Sequence, residues 1–191
     1  MTASPNLSSH HCIAVGGRAL RQLRETLERD AGLQAATWLQ DAGFAGGEAL
    51  YNAYADWLRT THGVSEPGSL DAARLSEVLA SFFSEVGWGA LEAQALGAAV
   101  LSLDSTAWAE AAEEGGATFP SCHFSCGLLA DFLGRMSGDT VAVMEVECRT
   151  RGDDRCRFLA GAPDTMSMLY ERMAQGMSYD EALGLTAVTG S

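Results

Sequence analysis

The sequence predicts an α+β fold (α/β mixed), with helices packed on a mainly antiparallel sheet of about four strands. Three observations lead there. Apolar residues recur at spacings of three and four through most of the first 83 positions. Two segments, 91–104 and 140–160, instead read as strand pairs joined by short turns. The order is helices, hairpin, helix, hairpin, helix, without the alternating βαβ units of a doubly wound sheet.

Each element has a local reason. Residues 1–12 carry Ser, Asn, Pro and His without periodicity and read as a mobile arm. A helix starts near Arg18, with Leu20, Leu23 and Leu27 about a turn apart. A longer helical pattern runs through Leu33, Ala36, Gly43, Gly47, Leu50, Tyr54 and Trp57 or Leu58. Its middle holds Gly43, Gly46 and Gly47, each costing about 0.8–1 kcal/mol relative to alanine. Close approach of another helix or of a dimer partner explains them, or else the helix breaks there. Gly, Pro and Ser make 61–69 a loop, and 70–83 is helical through Leu75, Val78, Leu79 and Phe82.

Leu91, Ala93 and Ala95 share a strand face, Gly97 turns the chain, and 100–104 returns. Residues 107–121 connect to a helix over 122–136, marked by Phe124, Leu128, Phe132 and Met136 and stopped by Ser-Gly-Asp at 137–139. Strands follow at 140–150 and 155–160 around an Arg151-Gly152-Asp153 turn. A helix occupies 163–175, and Ser178 with Glu181 forms a capping box for a last short one.

Composition narrows the function. The 191 residues are 47% hydrophobic and 19% charged, which suits one domain with a sizeable core. Twelve basic against 25 acidic residues give a formal charge of −13, which repels phosphate backbones and anionic lipid. No direct nucleic-acid or membrane partner is expected. No apolar run reaches the roughly 18–20 residues that span a bilayer. The first residues lack a secretory pattern, so the expected compartment is cytoplasmic, where thiols stay reduced.

Four of the five cysteines fall within 121–158. With a three-residue loop at 151–153, Cys148 faces Cys156, their Cβ atoms roughly 4.5–5.5 Å apart. Two thiolates so placed suit a tetrahedral zinc. Cys122, opening the helix at 122–136, can reach across, with Cys126 one turn later as a rival donor. Glu145 offers an oxygen, but in a regular strand it points away from Cys148. Both reach one ion only if the strand bulges or twists near Val146–Glu147.

Three segments resemble the 4-vinyl reductase (hydrocarbon-binding) domain family: GWG at 87–89, CHFSCGLLADFL at 122–133 and EVECRTRGDDRCRF at 145–158. The resemblance implies a fold similar to that of small TRAPP transport-particle subunits. It also implies kinship with aromatic-sensing domains at the front of bacterial transcriptional activators. Those domains hold a structural zinc by Cys, Glu, Cys and Cys, which match Cys122, Glu145, Cys148 and Cys156 here. Other relatives accompany bacteriochlorophyll synthesis. This chain departs from the activators in lacking a G-x-x-x-x-G-K-[ST] motif and a recognisable DNA-binding segment. A phenol-binding Trp and His pair does not align.

On this reading 1–15 is a disordered arm, 16–176 a single ligand-binding domain, and 177–191 a short helix and tail. Within the domain, 16–64 is a helical dimerisation part and 70–160 carries the sheet and metal site. Phe44, Tyr51, Phe82, Trp88, Trp108, Phe124 and Cys126 are the candidates to line an apolar pocket. His123 reads as a surface residue, and Glu110, Glu113 and Glu114 as a solvated acidic run. GFAGGEAL lacks the preceding strand that dinucleotide binding requires.

The expected protein is a zinc-containing homodimeric sensor or carrier of a small hydrophobic, aromatic molecule, read out by its dimer partner or a downstream signalling protein. Two alternatives stand beside it. One is an enzyme or accessory subunit of tetrapyrrole vinyl reduction, for which the chain offers no flavin or nicotinamide fingerprint. The other is an interaction module without a ligand.

Overall fold

The computed structural model describes residues 4–111 and 116–185. Six α-helices and four strands follow the predicted order: α1 (Gly17–Ala31), α2 (Gln34–His62), α3 (Ala72–Glu85), β1 (Glu92–Leu96), β2 (Val100–Ser105), α4 (His123–Ser137), β3 (Ala142–Glu147), β4 (Cys156–Gly161), α5 (Pro163–Ala174) and α6 (Tyr179–Leu183). The strands form one open antiparallel sheet in the order β1-β2-β4-β3. The fold is therefore mixed α+β, and no helix among the described residues is long and apolar enough to cross a membrane.

Strand alternation sorts the sheet into two faces. Leu103, Phe158, Ala160 and Cys156 face the large core shared with α2, α3 and α4. Val100, Val146 and Leu159 face a smaller core with Met166 and Leu169 of α5 and Ala182 of α6. On that second face Asp104 lies opposite Arg157, and both oxygens of its carboxylate accept from the guanidinium, at 2.8 and 2.6 Å. Arg157 also donates to the Tyr179 hydroxyl at 2.9 Å, and Tyr179 donates to Glu147. Arg155 closes the network on Glu147. These charges pair with one another and fasten the start of α6, whose Ser178–Glu181 capping box is formed.

The α2 glycines have a definite partner. The helix is continuous, and it presses on α4 of the same chain. A Cβ placed on Gly43 would lie 2.0 Å from the Phe124 carbonyl oxygen; one on Gly127 would lie 1.9 Å from that of Gln40. Backbone meets backbone at this crossing. Gly47 faces Asp131, whereas a Cβ at Gly46 would meet only the Leu128 side chain, at 3.6 Å. GWG has a related cause. Gly89 has φ +101° and sits where a Cβ would be 2.4 Å from the Ala107 carbonyl oxygen.

The first helices contact the rest through less familiar groups. Leu7, within the segment read as an arm, packs against the large core, and His10 lies 3.8 Å from Asp56 on α2. Arg21 and Arg24 of α1 donate to the carbonyls of Ala109 (2.9 Å) and Glu110 (3.3 Å).

The glycine geometry separates two substitutions of the same kind. Gly43→Ala should destabilise by about 3 kcal/mol, the upper range for overpacking. Gly46→Ala should stabilise by up to about 1 kcal/mol through helix propensity. Urea unfolding of both variants beside wild type measures the contrast.

Candidate metal centre and aromatic cluster

Cys122, Glu145, Cys148 and Cys156 come together, each offering one donor atom, with all four atoms within 4.8 Å of one another. Three elements build the group: Cys122 is the N-cap of α4, Glu145 and Cys148 come from β3 and its end, and Cys156 opens β4.

The conflict over Glu145 is resolved by a bulge. Glu145 pairs with Phe158, but Glu147 pairs with Arg157, so Val146 is the extra residue. Val146 packs with the α5 core and Glu147 binds Tyr179, so two successive residues point to the second face. The alternation then resumes with Cys148 on the same side as Glu145. The turn that follows is longer than a three-residue hairpin loop. A 3-10 turn over Arg149–Arg151 precedes Gly152, and the ladder restarts at Cys156. The Arg-Gly-Asp segment secures it. Arg151 donates to the Val146 carbonyl (2.9 Å), and the Asp153 carboxylate accepts from the Cys148 N–H (2.7 Å) and from Arg151.

The donor set passes the tests for a cation. Cys122 Sγ lies 3.9 Å from Cys148 Sγ and 4.0 Å from Cys156 Sγ. That is near the separation of about 3.8 Å that Zn–S bonds of about 2.3 Å impose on a tetrahedron. It is far beyond the roughly 2.05 Å of a disulfide, and all three cysteines are free and fully buried. One Glu145 oxygen accepts from the Cys122 N–H at 2.9 Å, while the other, Oε1, is buried with no hydrogen-bond partner. Leaving such an atom unsatisfied costs about 1–3 kcal/mol, more for a charged group. A positive ion among these donors removes that penalty.

The protonation pattern agrees. Hydrogen bonds from Cys122 and Cys156 hold the Cys148 thiol far below its ordinary range. The complementary bond to Cys148 pushes Cys122 well above it. Burial pushes Glu145 up to about 8. The cluster thus already favours one thiolate shared among three sulfurs. Cys126, the rival donor, is not in the group; burial raises its thiol as well.

Glu110 corrects the reading of a solvated acidic run. It is fully buried and caps α4 from a distance. Its carboxylate accepts from the N–H of Phe124 (3.1 Å), the N–H of Ser125 (2.8 Å) and the Ser125 hydroxyl. The Cys122 side chain supplies no cap, so Glu110 satisfies the donors that a helix start leaves over. Burial pushes this carboxyl up to about 7 against those bonds. Ser125 in turn accepts from Trp108 Nε1 at 2.7 Å. Glu113 and Glu114 lie outside the described residues.

Of the pocket candidates, five join a run of touching rings. Tyr51 meets Phe132 edge-on at 5.9 Å, and Phe132 continues to Phe82 and Phe83. Phe83 leads to Trp108, Trp108 stacks on Trp88 at 5.3 Å, and Trp88 on Phe124 at 6.1 Å with planes 8° apart. Cys126 belongs to the same core. Phe44 does not join them. It is 52% exposed and borders an open groove with Ala130, Asp131 and Arg135. Gly43 is the position that faces α4, and the helical period turns Phe44 outward. Tyr54, read only as a helix-stripe residue, lies inside the ring cluster. His123 is half-buried.

Fold and site together define a mixed α+β domain with a closed Cys3Glu cluster under an aromatic core. Residues 106–162, which contain all four donors, match the family model of the 4-vinyl reductase domain. No curated protein sequence matches the chain. Among solved structures, the chain is similar to the phenol-responsive sensory domain of the transcription activator PoxR, solved with phenol. The TM-score is 0.59 at 17% identity, over 87% of this chain and 84% of that one. It is also similar to a trafficking protein particle complex subunit 3 from Naegleria fowleri covalently bound to palmitic acid. There the TM-score is 0.54 at 15% identity, over 76% and 93% of the two chains. A vinyl-4-reductase family protein from Methanocaldococcus jannaschii matches at TM-score 0.40 and 22% identity, over 58% and 66%. At these identities the first two show a shared fold.

The buried cap is open to direct test. Glu110→Ala should lower stability by about 2–3 kcal/mol, because two N–H groups and a hydroxyl lose their acceptor. Denaturant unfolding measures the loss, and a cost under about 0.5 kcal/mol would contradict the capping role.

Proposed function

We propose that this chain is a zinc-containing sensor or carrier domain for a small hydrophobic molecule with an aromatic body. The observation that carries the reading is the buried Cys3Glu cluster set into the first turn of α4, the turn that also bears Phe124 and Ser125 of the ring cluster. The family match over that segment and the fold shared with a phenol-responsive domain support it.

In this reading Cys122, Glu145, Cys148 and Cys156 hold the zinc. Four protein donors leave no open position for water, so the ion serves as a cross-link and not as a catalyst. Guest binding biases the helices around the rings by the difference in its affinity for their arrangements. A second copy of the chain, or a downstream protein, reads that bias. Exposed Leu23 on α1, Trp38 and Phe44 on α2 and Leu33 between them support an apolar contact surface in the helical part of the chain.

Two measurements test the proposal. Elemental analysis of purified protein should give one zinc per chain. Cys148→Ser should lose it and melt roughly 10 °C or more lower, since about 1 kcal/mol moves Tm by roughly 2–4 °C in a domain of this size. Native mass spectrometry with phenol and with toluene should show a bound guest on a dimer. Well-folded protein without metal would refute the zinc assignment, and a persistent lack of any apolar guest would refute the sensor.

A further inference from the structure

The ring cluster contains one group that does not fit an apolar interior. Tyr54 is fully buried, and its hydroxyl is without a hydrogen-bond partner. Its ring packs edge-on against Phe82 at 5.1 Å and tilted against Phe132 at 5.2 Å, with Trp57 at 6.3 Å. A buried tyrosine hydroxyl ordinarily finds a partner, and an orphaned one costs about 1–3 kcal/mol. A phenylalanine would fill the same space without that cost.

A resident water is a poor remedy, because it needs two to four polar partners of its own. Phe82 and Phe132 offer none. A fixed charge is a poorer one, because burying an ion among rings costs far more than burying a neutral dipole. What suits the position is a neutral molecule that brings both the ring-compatible body and the missing hydrogen-bonding atom. Burial raises the Tyr54 hydroxyl above its ordinary range, so it stays protonated and can donate as well as accept.

We propose that the Tyr54 hydroxyl is the polar anchor of the guest site, selecting uncharged aromatic molecules that carry a hydroxyl or carbonyl over pure hydrocarbons of the same shape. This inference rests on the sensor reading above and goes further, since it names the class of guest and the residue that discriminates. Discrimination of this kind is strong because a guest lacking the polar atom leaves the site's own hydroxyl unpaired.

The test compares wild type with Tyr54→Phe, using phenol and toluene as probes of nearly equal size and isothermal calorimetry as the readout. Wild type should prefer phenol. In Tyr54→Phe the affinity for phenol should fall by about tenfold and that for toluene should hold or rise, the size expected from one buried hydrogen bond. The melting temperature of the ligand-free variant should equal or exceed that of wild type, because an orphaned hydroxyl has been removed. Three results overturn the inference: equal loss of both probes, no loss of phenol, or a lower melting temperature, which would reveal an internal partner for the hydroxyl. If wild type binds neither probe, the sensor reading itself fails, and that outcome is distinct from the other three.

Discussion

The structure depends on one irregularity of β3. Four donor atoms from three elements can lie within 4.8 Å only if Glu145 and Cys148 present their side chains to the same side. A regular strand forbids this, because residues three apart alternate to opposite faces. The extra residue at Val146 shifts the register by one and restores Cys148 to the inner face. Arg151 then occupies the Val146 carbonyl, so the bulge leaves no buried acceptor behind. The same irregularity places Glu147 beside Tyr179 and Arg157, so it organises both faces of the sheet.

The first turn of α4 is the second point of convergence. Cys122 contributes a donor there, its N–H binds Glu145, and the N–H groups of Phe124 and Ser125 bind Glu110. Ser125 links Glu110 to Trp108, and Phe124 stacks on Trp88. The metal cluster and the ring cluster are therefore joined through one helix end, from Cys122 to Ser125. Displacing the rings against Trp108 displaces the same turn that carries Cys122.

Much of this was legible in the sequence, for physical reasons that can be named. Periodicity located the helices, and opposed cysteines across a turn located the cluster, because both are local or nearest-strand patterns. The resemblance favoured Glu145, and the strand geometry stated in advance what irregularity its inclusion required. Glu110 was missed because its partners sit 14 and 15 residues later, whereas capping patterns read from sequence span three. Its neighbours Glu113 and Glu114 made it look like one of a solvated run. The Asp104–Arg157 pair was hidden because β2 and β4 are distant in sequence and their pairing had to be known first. Phe44 was misplaced by weighing its aromatic character over its helical phase. Gly43, Gly47 and Leu50 already marked the inward stripe.

The glycine crossing of α2 and α4 has a mechanical consequence. Where side chains separate two helices, rotamer changes let one slide past the other by small steps. At Gly43 and Gly127 no side chain intervenes, so relative sliding would drive carbonyl oxygens into the opposing main chain. The two helices must travel as a single rigid body. Any flexing within the domain is then confined to α1, to α3, or to the sheet margins.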